Sequence, residues 1–215
     1  SSDVCSSDLI LRGTADMLQQ RHADDEETQR WCESMKLQAQ RVHDMAQDVL
    51  EFARGDTQLR LREVELQTVL QYFEHMNGDY LRRQGIELSI DTAPVTLTAD
   101  PDKLTRVLQN LVNNAAEALD GSGHIDIAAR ADGEQVVIEI RDDGPGIPED
   151  LRERLFEPFS TGRDDYGGTG LGAGIARNLV LAHGGSIDFT TGPSGTTFTI
   201  RLPRSAATAG QRPSA

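Results

Sequence analysis

The sequence predicts an α+β protein in two parts: a helical hairpin, then a domain in which helices cover one face of a sheet. Three observations carry that reading. Between Trp31 and Phe52 the inward-reading positions recur in alternating steps of four and three, the spacing of a helix–helix seam. A second amphipathic stretch opens at Asp100–Pro101, a capping acid and a first-turn proline, and stops at Gly121. Around it lie short alternating segments, two of them joined at Asp132–Gly133, a hairpin signal.

The bulk composition narrows the function classes. The chain has 215 residues, of which 37% are hydrophobic and 26% charged, enough for one ordinary domain and a smaller one. Its formal net charge of −14 repels phosphate backbones and anionic lipid, so nucleic acid is not an expected partner. No run approaches the roughly 18 to 20 apolar residues of a membrane span. Cys5 and Cys32 have neither metal nor disulfide spacing, which fits a reducing, cytoplasmic setting. Any inner-membrane anchor of the parent protein is expected from missing upstream segments.

In chain order, residues 1–9 (SSDVCSSDL) show no helical or strand period and read as a non-native segment fused to a truncated frame. The predicted hairpin occupies 10–56. Its first helix carries Ile10, Met17 and Leu18, and its seam is Trp31, Met35, Gln38, Val42, Met45, Val49 and Phe52. Two such hairpins make a four-helix bundle, so a homodimer is expected. The second domain is predicted over 57–203. A strand near Gln58 to Val64 is followed by a helix from Leu66 to Arg83, then strands Ile86 to Ile90 and Val95 to Ala99. The Asp100 helix puts Leu104, Val107, Leu108, Leu111, Val112, Ala115, Ala118 and Leu119 on one stripe. Strands Ile125 to Arg130 and Gln135 to Asp142, a helix from Gly170 to His183, and strands Ser186 to Thr190 and Thr196 to Leu202 complete it. The low-apolar tail 204–215 reads as disordered.

Within this frame a few residues depart from simple patterning. Asn110 and Asn114 are four apart and share a helix face with Arg106 and Glu117. Either they form a solvated face, or their amide oxygens serve magnesium or phosphate at a pocket edge. Val136, Ile138 and Ile140 alternate into the core and Asp142 continues their parity, an acid that needs donors there. Gly144 and Gly146 follow at once and permit close backbone approach to a flat ligand. The run Gly167 to Gly174 opens a helix, whose N-terminal N–H groups suit phosphate. Gly168, Gly170 and Ala173, with Asp188 further on, also fit a dinucleotide fingerprint. The absence of a strand directly before them argues against it, and no Lys–Ser/Thr pair follows as a P-loop requires.

In order along the chain, NLVNNAAEA (Asn110 to Ala118), DDGPGI (Asp142 to Ile147), LFEPF (Leu155 to Phe159), GTGLG (Gly168 to Gly172) and GTTF (Gly195 to Phe198) resemble the asparagine, phenylalanine and three glycine boxes of sensor histidine kinases. Those kinases belong to the GHKL, or Bergerat-fold, ATPase superfamily. The resemblance runs from about Leu9 to Pro203 and implies a dimerisation and phosphotransfer hairpin followed by an ATP-binding α/β sandwich.

The resemblance also implies roles. Asn114 matches the magnesium ligand and Asn110 the residue one turn earlier, near the phosphates of ATP. Asp142 matches the adenine-reading acid, with Gly144 and Gly146 shaping that end and Thr196 supporting the acid. Phe156 and Phe159 match lid anchors, and Arg163 would reach a phosphate from the lid. Gly168, Gly170, Leu171 and Gly172 match the phosphate-cradling turn. The implied activity is transfer of the ATP γ-phosphoryl to a histidine and on to an aspartate of a response-regulator receiver domain. The alternative is a non-catalytic ATP-binding partner or a response-regulator phosphatase module.

Two departures stand out. Gly174 follows the turn where relatives carry larger residues, at a cost of up to about 1 kcal/mol relative to alanine. The phosphoacceptor motif, a histidine followed by an acid with a proline five residues on, is missing; by register its histidine would fall near Ser1 or Ser2. His43–Asp44 is the sequence's one His–acid pair, and it lacks the proline. His22, His75, His124 and His183 read as surface or capping residues.

Overall fold

The computed structural model describes residues 13–23, 25, 27–36, 39, 58–160 and 170–205. The chain divides into two compact units, one over Ser1–Asp56 with Arg163–Thr169 and one over Thr57–Gly162 and Gly170–Ala215.

In the first unit, residues 13–21 (α1) and 27–36 (α2) are helical. The turn between them is built from side chains. Asp25 accepts from the backbone N–H of Glu27 and the hydroxyl of Thr28, capping α2. The Gln29 amide donates to the carbonyls of Gln19 at 2.8 Å and His22 at 3.0 Å, which fastens α2 back onto α1. Lys36 pairs with Asp16 further along. Small residues, Ala15 and Cys32, are buried. Trp31 and Met35, expected in the seam, are instead 62% and 47% exposed, and Met17 is 73% exposed. Among the described residues nothing covers that apolar face. The later seam positions Gln38, Val42, Met45, Val49 and Phe52, the pair His43–Asp44 and residues 1–9 lie outside the described residues.

The second unit is a five-stranded mixed sheet beside a two-stranded ribbon. Its strands are β1 (Arg62–Glu65), β2 (Ile86–Thr92), β3 (Thr96–Ala99), β4 (Gly123–Asp132), β5 (Gln135–Asp142), β6 (Ser186–Gly192) and β7 (Gly195–Pro203). Its helices are α3 (Leu66–Arg83), α4 (Pro101–Leu119), the short α5 (Glu149–Arg152) and α6 (Gly172–Ala182). The large sheet runs β2-β4-β5-β7-β6, and β1 pairs with β3. All its pairings are antiparallel except β2 with β4, whose ends are joined through β3 and α4.

Period-2 alternation in β5 and β7 and the helical stripes meet in one core. Leu70 and Phe73 of α3, Leu108 and Leu111 of α4, and Ile175 and Leu179 of α6 pack with Ile125, Ile138, Ile140, Phe198 and Ile200 of the sheet. On α4 every position of the expected stripe is buried except Ala118, which is partly exposed, and Ala116 is buried in addition. The sheet's outer face is polar, with Arg130 paired to Glu139. The chain stays hydrogen-bonded as far as Arg204, which meets Glu134 and Thr98.

Candidate functional site

Helix α4 is set by its ends. The Asp100 carboxylate accepts the N–H groups of Asp102 (3.1 Å), Lys103 (3.2 Å) and Arg60 (2.8 Å). The N–H of Asp100 in turn donates to Nε2 of His183 at 3.1 Å, while Nδ1 of His183 meets the Leu179 carbonyl at 2.7 Å. His183 is thus a buried cap of α6 that ties the end of α6 to the start of α4, with one ring nitrogen engaged on each helix. With that pair fixed, the start of α6 lies beside the middle of α4.

At that juxtaposition a methyl group on Gly172 would lie 3.3 Å from Oδ1 of Asn114 and 3.5 Å from Oδ1 of Asn110. Both asparagine oxygens therefore converge where α6 begins, next to its first N–H groups. Nδ2 of Asn110 is buried with no hydrogen-bond partner among the described residues, the state of a donor left for a ligand. Helix α6 starts at Gly172 rather than at Gly170, so Gly170 and Leu171 form the turn ahead of it. Gly174 is explained by packing: a methyl group there would come within 3.1 Å of the Phe156 carbonyl.

The other end of the site gathers on Asp142. It is 4% exposed, as its parity in β5 predicts. Its Oδ1 accepts from Gly144 N–H at 3.0 Å and Thr196 N–H at 3.2 Å. Burial pushes its pKa above the ordinary carboxylate value, and the two backbone donors only partly offset this. Thr196 is buried with it. Gly195, at φ +127°, carries the chain so close to the Asp142 carbonyl that any side chain there would collide with it. Gly146, at φ +80°, rests likewise on the Gly192 carbonyl. Leu119 and Ala118 of α4 reach Gly144, so the acid end and the asparagine helix share one wall.

Phe156 packs edge-on against Phe189, with ring centroids 6.0 Å apart, and the Arg177 guanidinium lies over the Phe156 ring, 5.4 Å from its centroid. Phe159, expected as a second anchor, is 66% exposed at a positive φ and anchors nothing among the described residues. Arg163 and Gly168 lie outside the described residues. Sequence reasoning passed over Thr191, whose hydroxyl accepts from Ile147 N–H at 2.8 Å and lies 3.0 Å from the Thr196 hydroxyl. The signal was there: Thr191 continues the inward parity of Ile187 and Phe189. A lone carboxylate with flanking hydroxyls at one end, and two amide oxygens with helix N–H groups at the other, suit a purine and a phosphate chain respectively.

Comparison with known proteins agrees with that geometry. The family described as histidine kinase-, DNA gyrase B-, and HSP90-like ATPase matches residues 99–206. The chain is 32% identical to the sensor histidine kinase ZraS of Escherichia coli (strain K12) over 197 residues, which is 90% of this chain and 42% of that protein. It is 42% identical over 118 residues to the sensory histidine kinase/phosphatase NtrB of Escherichia coli O157:H7, half of this chain and 33% of that one. The chain therefore spans less than half the length of these relatives. The nucleotide-free catalytic domain of histidine kinase ThkA superposes with a TM-score of 0.63 at 30% identity, covering 68% of this chain and 97% of that domain. A longer ThkA structure, in complex with the response regulator TrrA, has the same fold at 24% identity and a TM-score of 0.70, covering 94% of this chain and 59% of that one.

Proposed function

This chain belongs to the histidine kinase-, DNA gyrase B- and HSP90-like ATPases, and from that premise we propose that it is the ATP-binding part of a sensor histidine kinase. The observation that carries the reading is the unpartnered buried amide of Asn110 beside the Asn114 oxygen, facing the start of α6. Asn114 would hold magnesium through its amide oxygen, with Asn110, Gly170, Leu171 and Gly172 around the phosphates. Magnesium suits such a place, since it binds through one or two protein oxygens plus substrate phosphates. Among the described residues no group of three His, Cys, Asp or Glu side chains forms a metal site. Asp142 would accept from the exocyclic amine of adenine, with Gly144 and Gly146 against the ring and Thr196 behind the acid.

Bound ATP and magnesium supply an activated phosphoryl group with its charge partly neutralised. The protein's part is positioning: α4 and α6, tied at His183, hold the phosphate end at a fixed distance from Asp142. At the Asn110 position an amide cannot act as a base toward water, which favours transfer over hydrolysis. The parent would phosphorylate a histidine and relay to a response-regulator aspartate; the fold shared with ThkA bound to TrrA supports that partner. The exposed Met17, Trp31 and Met35 support a homodimer through the hairpin. A kinase/phosphatase balance is the second reading, favoured by the likeness to NtrB.

Calorimetry on the whole chain tests this. Saturable ATP binding that needs magnesium and exceeds GTP binding is expected; no binding of ATP with magnesium overturns the reading. No histidine here has the following acid and the proline five residues on, so incubation with ATP is expected to leave the chain unphosphorylated. Acid-labile phosphate on His43 would contradict that.

A further inference from the structure

The loop from Asp143 to Pro148 is held at both ends. At its start Oδ1 of Asp143 accepts from His124 N–H at 2.7 Å, and Gly144 N–H reaches Asp142. At its far end Ile147 N–H donates to the Thr191 hydroxyl at 2.8 Å. Thr191 pairs across strands with Thr196 in the β6–β7 register, and their hydroxyls are 3.0 Å apart. Thr196 then returns to Asp142 through its own N–H. Carboxylate, hairpin and loop thus form a closed circuit in which Thr191 joins the loop to the hairpin.

Resting on the nucleotide-binding reading, we propose that Thr191 is a positioning residue for the purine end of the pocket. Its hydroxyl does two things at once. It fixes the backbone at Ile147, just beyond the Gly146 contact with Gly192, and so sets the height of the loop over the base. It also restrains the Thr196 hydroxyl, which stands behind the acid. A valine has the same shape but no oxygen, so it would leave the Ile147 N–H without its acceptor and free the Thr196 rotor, with β6 and β7 still paired. The phosphate end, built on Asn110, Asn114 and Gly172, shares none of these bonds.

The test compares Thr191→Val and Thr191→Ser with the unmodified chain by calorimetry, using ATP and GTP with and without magnesium. Thr191→Val is expected to weaken ATP about tenfold and to narrow the preference for ATP over GTP. The affinity gained on adding magnesium should be unchanged, and Thr191→Ser should stay within about twofold of the original. ATP affinity kept in Thr191→Val, equal losses in Val and Ser, or a collapse of the magnesium gain would each overturn the proposal. Hydrogen exchange on the unmodified chain is a check that needs no variant: the Ile147 amide should be protected, and exchange at an open-loop rate counts against the clamp. Failure of the unmodified chain to bind ATP is a separate result and sinks the nucleotide reading itself.

Discussion

The backbone N–H of Thr196 donates to Oδ1 of Asp142 at 3.2 Å across 54 residues of sequence, joining the last hairpin to the acid at the end of β5. A buried carboxylate whose two backbone donors both fall on Oδ1 is suited to receive a further donor. Its ionisation costs the free protein stability, because burial raises its folded pKa above the unfolded value near 3.9. The folded state then holds more protons between those two values, so this group's contribution falls as pH rises through that window. Asp142→Asn is expected to melt higher than the original near neutral pH and to bind ATP at least about tenfold more weakly, since its amide would face the base amine. Melting curves across pH and calorimetry check both; unchanged ATP affinity would remove Asp142 from the site.

Asp100 has the opposite sign. Burial pushes its pKa up, but the N–H groups of Arg60, Lys103 and Asp102 outweigh it and hold the carboxyl below its usual value. Its stabilisation is present above the unfolded pKa and is lost as pH falls through the folded one. Asp100→Ala should cost about 0.5–2 kcal/mol at neutral pH, as for a lost N-cap, with the gap to the original closing in acid. Urea titrations at several pH values read this; a gap that widens in acid contradicts the assignment.

The strap between the two helices is equally testable. His183→Ala removes a ring bonded at both nitrogens and leaves the Asp100 N–H buried without an acceptor. A loss of about 1–3 kcal/mol in urea is expected, together with weaker ATP binding as Gly172 drifts from the asparagines. A loss under about 0.5 kcal/mol would mean the strap does not hold α4 to α6.

Gly172→Ala separates stability from function. A methyl group there meets Asn114 at 3.3 Å and Asn110 at 3.5 Å, near enough to crowd the cleft yet tolerable with a small shift. The helix should not weaken, since alanine is the better helix former, while ATP affinity should drop about tenfold. Unchanged affinity would place the phosphates elsewhere.

Sedimentation tests the hairpin. Trp31→Lys puts a charge on the exposed apolar face and is expected to convert a dimer to monomers without lowering helix content; a monomeric unmodified chain contradicts the dimer.

Much of this arrangement was legible because local rules sufficed. Parity along β5 placed Asp142 inward, a capping acid and proline set the start of α4, and the four-residue step aligned Asn110 with Asn114. What was not legible depends on pairings distant in sequence. Nothing local to His183 says that Asp100, 83 residues away, supplies its partner. Nothing local to Gly174 foretells the Phe156 carbonyl against it. The parallel pairing of β2 with β4 follows from the placement of α4, not from either strand. Trp31 and Met35 fit a seam by period, yet among the described residues nothing buries them, because period alone does not supply the covering surface.

The most direct measurement is magnesium-dependent ATP binding by Asn114→Ala, in calorimetry beside the unmodified chain. The pocket described here predicts that the unmodified chain binds ATP with magnesium and that the variant, while still folded, loses the magnesium-dependent part of that affinity. A folded Asn114→Ala chain that binds ATP with magnesium as tightly as the original would contradict the account.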